Sequence, residues 1–272
     1  MRDIQSEPDL RQIDIDQAGI RNIRYPITVK DRVNGSQRTV ASINMSVNLP
    51  RDFKGTHMSR FVEVLDKHKE NVHIDTVKDI LSDIRTVLNA KRSQIELNFT
   101  YFMQKAAPVS KLKALMDYNC TYSGTLSEVE GEPLLDSVMT VRVPVLSLCP
   151  CSKEISAYGA HNQRGIITIS ARTNRLVWIE ELVDYAERSA SSPVYPLLKR
   201  EDEKYVTERS YDKPVFAEDM VRNATMLLDA DNRILWFEAA AENFESIHNH
   251  NAWAMISRTK GDISVCTPFR QS

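Results

Sequence analysis

The chain has 272 residues, of which 42% are hydrophobic and 26% charged, and its formal net charge is −2. This is the composition of an ordinary globular protein, and the near-neutral charge excludes general electrostatic attraction to nucleic acid or acidic membranes. No apolar run approaches the roughly 18 residues of a membrane span, and the polar N-terminus has no apolar signal core. We therefore expect a cytoplasmic protein without a nucleic-acid or membrane partner.

Hydrophobic periodicity in the first half predicts two strands, two helices and two further strands. Ile43, Met45 and Val47 alternate with polar residues, as in a half-buried strand, whereas the apolar residues of 77–88 recur at helical spacing. The predicted strands are 20–29, 43–47, 95–103 and 115–126, and the predicted helices are 58–65 and 77–88.

The second half repeats the same order of elements. Its predicted strands are 139–145, 165–171, 233–241 and 251–257, and its predicted helices are 179–186 and 216–228. We therefore predict an α+β fold of two ββααββ modules, 1–130 and 131–272, with antiparallel sheets and helices on one face; a single α+β domain is the alternative. Such sheets leave edges uncovered, so the modules could join and an oligomer could close them into a barrel.

Two of the four cysteines lie in "LCPCSKEISAYGAHNQRG" (148–165). Disulfides are rare in the cytoplasm, and the spacing of Cys149 and Cys151 is not that of a C-x-x-C redox motif. A buried thiol, a nucleophile and a metal ligand stay open. If the chain is extended through Pro150, both thiols lie on one face, and His161 follows in the same polar loop.

The histidines divide into two groups. We expect His57 at the start of the first helix in a capping or positional role, His68 on a solvated helix face and His73 in a loop. His248 and His250 lie between two predicted strands, where an extended H-x-H segment directs both rings to one side. Together with the cysteines and His161, they indicate an open metal site with three protein ligands and a water more than a closed zinc finger.

Carboxylates could complete this site. The stretch 199–214 is rich in charge and has no apolar face, so we expect a solvated loop, from which Glu203 or less favourably Glu201 could reach a metal. Glu218 lies in the first turn of a predicted helix, where it could complement the helix dipole or bind a donor-rich edge such as that of guanine. Glu245 presents the same choice beside His248.

Four separated motifs together resemble GTP cyclohydrolase type IB over nearly the whole chain. They are "FKGTHMSRFVEVL", "LCPCSKEISAYGAHNQRG", "YDKPVFAEDMVRN" and "ENFESIHNHNA". The resemblance implies a tandem tunnelling fold (T-fold), a homotetramer with active sites at its interfaces, and a divalent metal, manganese or zinc with iron possible. It also implies conversion of GTP and water to 7,8-dihydroneopterin triphosphate and formate, the entry step to folate-type pterins.

The resemblance also implies roles for individual residues. Cys149 would be the thiolate ligand and catalytic cysteine, His161 and Glu203 the other ligands, and Glu218 the anchor that accepts from guanine N1–H and the exocyclic amine. The proton-transfer and remaining substrate positions would be His248, His250, Glu245, Lys153 and His57, with Arg164 and Arg60 as further cations for the triphosphate. Cys151 has no assigned role.

Three alternatives stay open at this point. An archaeal-type relative would open GTP with iron and give a cyclic phosphate, and a T-fold nitrile reductase would use NADPH and a nucleophilic cysteine without metal. A non-catalytic purine-binding protein would hold a structural metal, and removal of that metal would unfold it.

Overall fold

The computed structural model describes residues 5, 7–69, 72 and 74–260. Its strands are β1 Ile15–Asp31, β2 Gly35–Leu49, β3 Ser93–Ala106, β4 Lys113–Val129, β5 Glu132–Leu148, β6 Asn162–Thr173, β7 Ser192–Pro193, β8 Ile234–Asn243 and β9 Ala252–Thr259. Its helices are α1 Met58–Lys67, α2 Val77–Leu88, α3 Pro150–Ile155, α4 Ile179–Ser189, α5 Arg200–Asp212 and α6 Ala217–Ala230. Each predicted strand and helix is confirmed, and α3, β7 and α5 are additional.

Helix length bears on the membrane prediction. The longest helix of the described part, α6, has 14 residues, whereas a bilayer span needs about 20. In the part of the chain that the structure describes, no helix combines the length and the hydrophobicity of a membrane span.

The chain divides into two compact units, and the first includes residues 5–99 and 121–138. Its strands follow the order β1-β2-β3-β4-β5, and β1 pairs with β2 in antiparallel register from Ile15↔Leu49 to Asp31↔Gly35. Helices α1 and α2 pack against β1 and β2. Alternate residues of β2 are fully buried beneath them, because one face of the sheet meets the helices.

The second unit includes residues 100–120 and 139–260. Its strands follow the order β3-β4-β5-β6-β8-β9, with β7 on β5, and β5 pairs with β6 from Met139↔Ala171 to Leu148↔Asn162. Helices α4 and α6 pack on β6 and β8. The helix-facing side chains of these strands are fully buried, so the ends of β5, β6 and β8 are rigid supports for the residues that follow them.

Three strands, β3, β4 and β5, have residues in both units. The units are compact bodies and not the modules inferred from element order. The module boundary at residue 130 falls in the turn between β4 and β5, and the module division stays a prediction.

The prediction of a solvated loop over 199–214 is wrong, because residues 200–212 form α5. The helix has little apolar surface to bury, and the residues it does bury are Asp202 and Ser210. Asp202 accepts the backbone N–H of Lys199 at 2.9 Å and holds two N–H groups of residues 109 and 110. A charge-rich sequence with good helix propensity is thus fixed by hydrogen bonds from a distant loop, which local periodicity does not reveal.

Candidate active site

The loop between β5 and β6 brings Cys149 and His161 together. The backbone N–H of Cys149 donates to the carbonyl oxygen of His161 at 3.1 Å. Inside the loop, the Ser152 hydroxyl donates to the Cys149 carbonyl at 3.2 Å and accepts the His161 N–H at the same distance. The two candidate ligands therefore lie on adjoining, hydrogen-bonded backbone.

The chain is not extended through Pro150, so the expectation that Cys149 and Cys151 share one strand face is wrong. Pro150 is the first residue of α3, a position where the missing N–H of proline is harmless. Cys149 is the N-cap, and its Sγ accepts the N–H of Ser152 at 3.5 Å. Cys149 is half-buried and Cys151 is exposed, so the two thiols have unequal environments.

Residue Val215 connects the start of α6 to both candidate ligands. Its N–H donates to the carbonyl of Leu148 at 3.1 Å, and its carbonyl accepts the Ser147 hydroxyl at 3.2 Å. Leu148 precedes Cys149, and Ser147 accepts from Gln163, which contacts His161. The segment just before α6 is therefore hydrogen-bonded to the end of β5, directly before the 149–161 loop.

Glu218 lies in this first turn of α6 with an exposed carboxylate. The helix cap is supplied by its neighbour Asp219, which accepts the N–H of Phe216 at 3.1 Å. The Glu218 side chain makes no hydrogen bond or ion pair with any described residue. Helix capping therefore does not require Glu218, and its two oxygens are available to a ligand.

Helix α5 contacts the 149–161 loop at its C-terminal end. Lys153 Nζ donates to the carbonyl of Tyr211 and lies 4.2 Å from the centre of the Tyr211 ring. Glu203 and Glu201 are exposed in the first turn of the same helix. Since Glu203 precedes Tyr211 by eight residues, it lies about 12 Å further along the helix axis.

The segment 244–251, between two strands, carries the paired histidines, and it contains bends rather than the extended backbone that we considered. The rings of His248 and His250 nevertheless lie on one side, because they stack with centroids 5.1 Å apart and an interplanar angle of 16°. Ser246 Oγ lies 3.3 Å from Nδ1 of His161, and Glu245 is half-buried beside it. This segment therefore reaches the same neighbourhood as His161.

The implied divalent metal would need three protein ligands. In the ranges that the structure describes, no three His, Cys, Asp or Glu side chains form a group able to hold a metal ion. A thiolate from Cys149 and an imidazole from His161 would give zinc or manganese two of its protein ligands. Among the described residues, no third ligand lies beside them.

The remaining candidate residues lie elsewhere. His57 is the N-cap residue of α1 in the first unit, and His73 lies outside the described residues. His68 is not on a solvated face as expected, because its Nε2 lies 2.8 Å from Asp83 Oδ2 and its side chain is 17% exposed. In the second unit, Arg164 lines a cavity of about 480 Å³ together with residues that include Arg142, Asp117 and Tyr195.

The comparisons with known proteins decide the family. The model of the family described as type I GTP cyclohydrolase folE2 matches residues 1–254. The chain belongs to this family. The resemblance found in four sequence motifs is thereby confirmed, and the chain is an enzyme of the GTP cyclohydrolase class.

Relatives named GTP cyclohydrolase FolE2 are similar along nearly their whole length. The Magnetococcus marinus protein is 54% identical over 256 residues, which are 94% of this chain and 95% of that protein. The Geobacter sulfurreducens protein is 51% identical over 260 residues, covering 96% of this chain and 99% of that protein.

Solved structures of urate oxidases share the fold of this GTP cyclohydrolase. The Bacillus sp. TB-90 enzyme has a TM-score of 0.58 at 8% identity, with 90% of this chain and 100% of that chain covered. The Arthrobacter globiformis uricase has a TM-score of 0.53 at 10% identity, covering 90% of this chain and 93% of that chain. At 8–10% sequence identity the similarity concerns the fold alone, which combines helices with an antiparallel β-sheet.

Sequence reasoning missed the polar residues that support the site of this family member. Ser147, Gln163 and Asn243 are buried, and each occupies the core-facing phase of its strand. A signal existed, because Ser147 continues the period-two series of Val141, Val143 and Val145. A polar residue at a position where the alternation predicts an apolar one indicates either the end of a strand or a side chain with a hydrogen-bonding role.

Proposed function

We propose that the chain converts GTP and water to 7,8-dihydroneopterin triphosphate and formate, the first step of folate biosynthesis, by hydrolytic opening at guanine C8. The observation that carries the proposal is the pair of hydrogen bonds by which Val215, two residues before α6, holds the end of β5. The 149–161 loop, with its thiol and imidazole, follows that end of β5, and the unpaired Glu218 carboxylate lies on the first turn of α6. Family membership supplies the reaction class.

Glu218 is the proposed guanine anchor. Its carboxylate accepts from N1–H and from the exocyclic amine, two parallel charge-assisted bonds that no other base edge offers in the same pattern. The capping bond of Asp219 supports this role, since it leaves Glu218 without a structural duty. The first turn of a helix also holds its side chains rigidly enough to orient the purine.

Cys149 and His161 are the proposed metal ligands, and Glu203 of α5 the third, completed in the assembled oligomer. Manganese, zinc or iron fits a mixed thiolate, imidazole and carboxylate set. A divalent cation there would supply Lewis acidity for the water that attacks C8. Val215 would help to position both ligands, because it is hydrogen-bonded to Leu148, which precedes Cys149, and to Ser147, which contacts His161 through Gln163.

His248 and His250 are the proposed proton-transfer residues, with Glu245 beside them at the substrate. Ring opening needs a proton at N7 or N9 of guanine and others during loss of formate, and imidazoles exchange protons near neutral pH. Two stacked, exposed rings on a segment that touches His161 can serve successive steps at one substrate.

The triphosphate requires cations, and four candidates differ in what they already bind. Lys153 is engaged by Tyr211, and Arg60 donates to the carbonyl of Val87 at 2.9 Å. The Arg164 side chain has no hydrogen bond or ion pair with a described residue, which favours it. His57, in the first unit, stays a candidate from its motif.

We further propose that the fold is a tandem T-fold and that four copies assemble with active sites at their interfaces. The repeated order of strands and helices supports the tandem arrangement. Among the described residues no third ligand lies beside Cys149 and His161, which agrees with a site completed by assembly. A cytoplasmic location stays a prediction from the composition.

The test is incubation of the purified chain with GTP and Mn²⁺ or Zn²⁺, followed by oxidation and detection of fluorescent neopterin. We expect neopterin and one equivalent of formate, both abolished by a chelator and restored by metal. Mass spectrometry of the product distinguishes the triphosphate from a cyclic phosphate. Absence of formate under all metals, or NADPH oxidation that resists chelation, would refute the proposal.

A further inference from the structure

Three polar side chains form a buried network at the ends of β5, β6 and β8. Ser147, Gln163 and Asn243 are 0%, 6% and 3% exposed. Buried polar groups lower stability unless their hydrogen bonds are satisfied. In this network Asn243 Oδ1 is buried without a partner, so the arrangement is not the most stable filling of this part of the core.

The direction of every hydrogen bond in the network follows from one carbonyl. The Val215 carbonyl can only accept, and it lies 3.2 Å from Ser147 Oγ, so the single hydroxyl proton of Ser147 points to it. Ser147 Oγ must then accept from its other neighbours, which are Gln163 Nε2 at 3.3 Å and Asn243 Nδ2 at 3.1 Å. A reversed Gln163 amide would face two acceptors towards each other and is excluded on this ground.

The orientation of Gln163 in turn fixes the tautomer of His161. With its amine on Ser147, Gln163 presents Oε1 to Nδ1 of His161 at 3.0 Å. An amide oxygen only accepts, so Nδ1 must carry the proton, and the neutral ring then has its lone pair on Nε2. Ser246 Oγ, at 3.3 Å from the same Nδ1, can accept as well and does not oppose this assignment.

We propose that Gln163 is a positioning residue that holds His161 in the Nδ1–H tautomer and presents Nε2 to the metal. The proposal rests on the proposed role of His161 as a ligand. Metal-bound histidines commonly donate their other ring N–H to an oxygen acceptor, which fixes the ring and raises its basicity. Here the acceptor is itself oriented by a serine and a backbone carbonyl.

The experiment compares Zn²⁺ affinity by competition with a chromophoric chelator in the whole protein and three variants. Gln163→Met keeps the length of the side chain but not the acceptor, and we expect about 10- to 100-fold weaker Zn²⁺ binding. Gln163→Glu keeps an oxygen acceptor towards Nδ1, with the Ser147 hydroxyl proton turning from Val215 to the second carboxylate oxygen, and should bind within about threefold of the parent, below that range. Ser246→Ala, at the exposed contact to the same nitrogen, is the matched control and should bind like the parent.

A second measurement needs no metal. Long-range ¹H–¹⁵N spectra of histidine-labelled, metal-free protein distinguish Nδ1–H from Nε2–H for the His161 ring, assigned by its loss in His161→Asn. We expect Nδ1–H in the parent and in Gln163→Glu, and a shift towards Nε2–H in Gln163→Met. Ser147→Ala, which removes the group that orients the Gln163 amide, should shift the tautomer in the same direction and serves if Gln163→Met does not fold.

The outcomes separate this inference from the proposed metal site. An unchanged tautomer and unchanged Zn²⁺ affinity in Gln163→Met would overturn the inference, and so would equal weakening in Gln163→Met and Gln163→Glu, which indicates packing alone. If Cys149→Ala and His161→Asn bind Zn²⁺ like the parent, the metal site itself is wrong. The tautomer spectra of metal-free protein still decide the role of Gln163 in that case.

Discussion

The described cysteines differ in what their surroundings allow. Cys120 is 3% exposed, and burial, with the nearby Glu180 charge, raises the pKa of its thiol to about 12. It stays protonated at neutral pH and cannot act as a nucleophile or ligand. Cys149, half-buried at a helix N-cap, is the thiol that can reach both a metal and solvent.

Replacing Cys149 should remove activity without unfolding the protein. We expect Cys149→Ala to lower the rate of neopterin formation by at least about 100-fold, since a ligand and its activated water are lost together. Cys151→Ala, at the exposed neighbouring position, is the matched control and should retain turnover. Substantial neopterin formation by a folded Cys149→Ala protein would contradict the ligand role.

Glu218 should govern GTP affinity. Hydrogen bonds to a charged group contribute about 1.5–3 kcal/mol, so Glu218→Ala should weaken GTP binding by about 10- to 100-fold, as measured by calorimetry. Asp219→Asn is the control, because it weakens the α6 cap and leaves the anchor. We expect lower thermal stability but nearly parental affinity there; equal affinities in both variants would exclude the anchor.

Two neighbouring carboxylates on α5 can be distinguished directly. We expect Glu203→Ala to lose bound metal after dialysis, whereas Glu201→Ala, two residues away and also exposed, retains it. Metal content per chain by elemental analysis provides the measurement. The reverse result would transfer the ligand role to Glu201, and retention in both would place the third ligand elsewhere.

At the scale of elements, α5 depends on one buried carboxylate. Burial alone would raise the pKa of Asp202, but bonds from the Ser110 hydroxyl and from the N–H groups of Lys199, Ser110 and Val109 lower it well below the usual value. A carboxyl whose folded pKa is lowered stabilises the fold above the unfolded pKa, about 3.9. That contribution disappears as the pH falls through the folded pKa.

The stability of Asp202→Asn should therefore depend on pH differently from that of the parent. At pH 7 and 5 we expect the variant to unfold at lower temperature by a similar margin, because the new amide opposes the Lys199 N–H. Below about pH 4 the margin should shrink, because the unfolded parent chain takes up a proton at this carboxylate and the folded chain does not. Asp212→Asn, at the exposed end of the same helix, is the control; a margin independent of pH would contradict the assignment.

The strands other than β7 were predictable because each has a buried face and a more exposed face, so apolar and polar residues alternate along its sequence. Helices α4 and α6 were predictable for the same reason at helical spacing. Helix α5 was not, since its anchor Asp202 is satisfied by residues 109 and 110, more than 90 positions away. The candidate site residues were predicted from sequence motifs. The Ser147 network was not, because it forms where the ends of three strands meet, and its one local sign is a polar residue at a position where the alternation predicts an apolar one.

At the scale of the whole molecule, strand β9, the last in the strand order of the described sheet, bears exposed apolar side chains. Trp253 is 63% and Met255 43% exposed, and an apolar edge strand is a surface that proteins usually cover. The proposed homotetramer would cover it. The same assembly would supply the third metal ligand, which does not lie beside Cys149 and His161 in the described residues of one chain.

We expect a mass near 124 kDa by light scattering, four times the 31.1 kDa of one chain. Trp253→Glu should lower it, since a charge cannot be buried unpaired at an interface. Val33→Glu, which replaces a turn residue that is 86% exposed, is the control and should keep the parental mass. A monomer in the parent, or an unchanged mass in Trp253→Glu, would remove β9 from the interface.

Val215 has a consequence for how the two ligands of the enzyme affect each other. Its N–H and carbonyl join the segments of Cys149 and His161 to the helix that bears Glu218. A nucleotide held on that helix and a cation held on that loop, as proposed, would order the same residue, so we expect the binding of each to favour the binding of the other. By thermodynamic linkage, any factor by which bound GTP raises the affinity for the cation must equal the factor by which the bound cation raises the affinity for GTP.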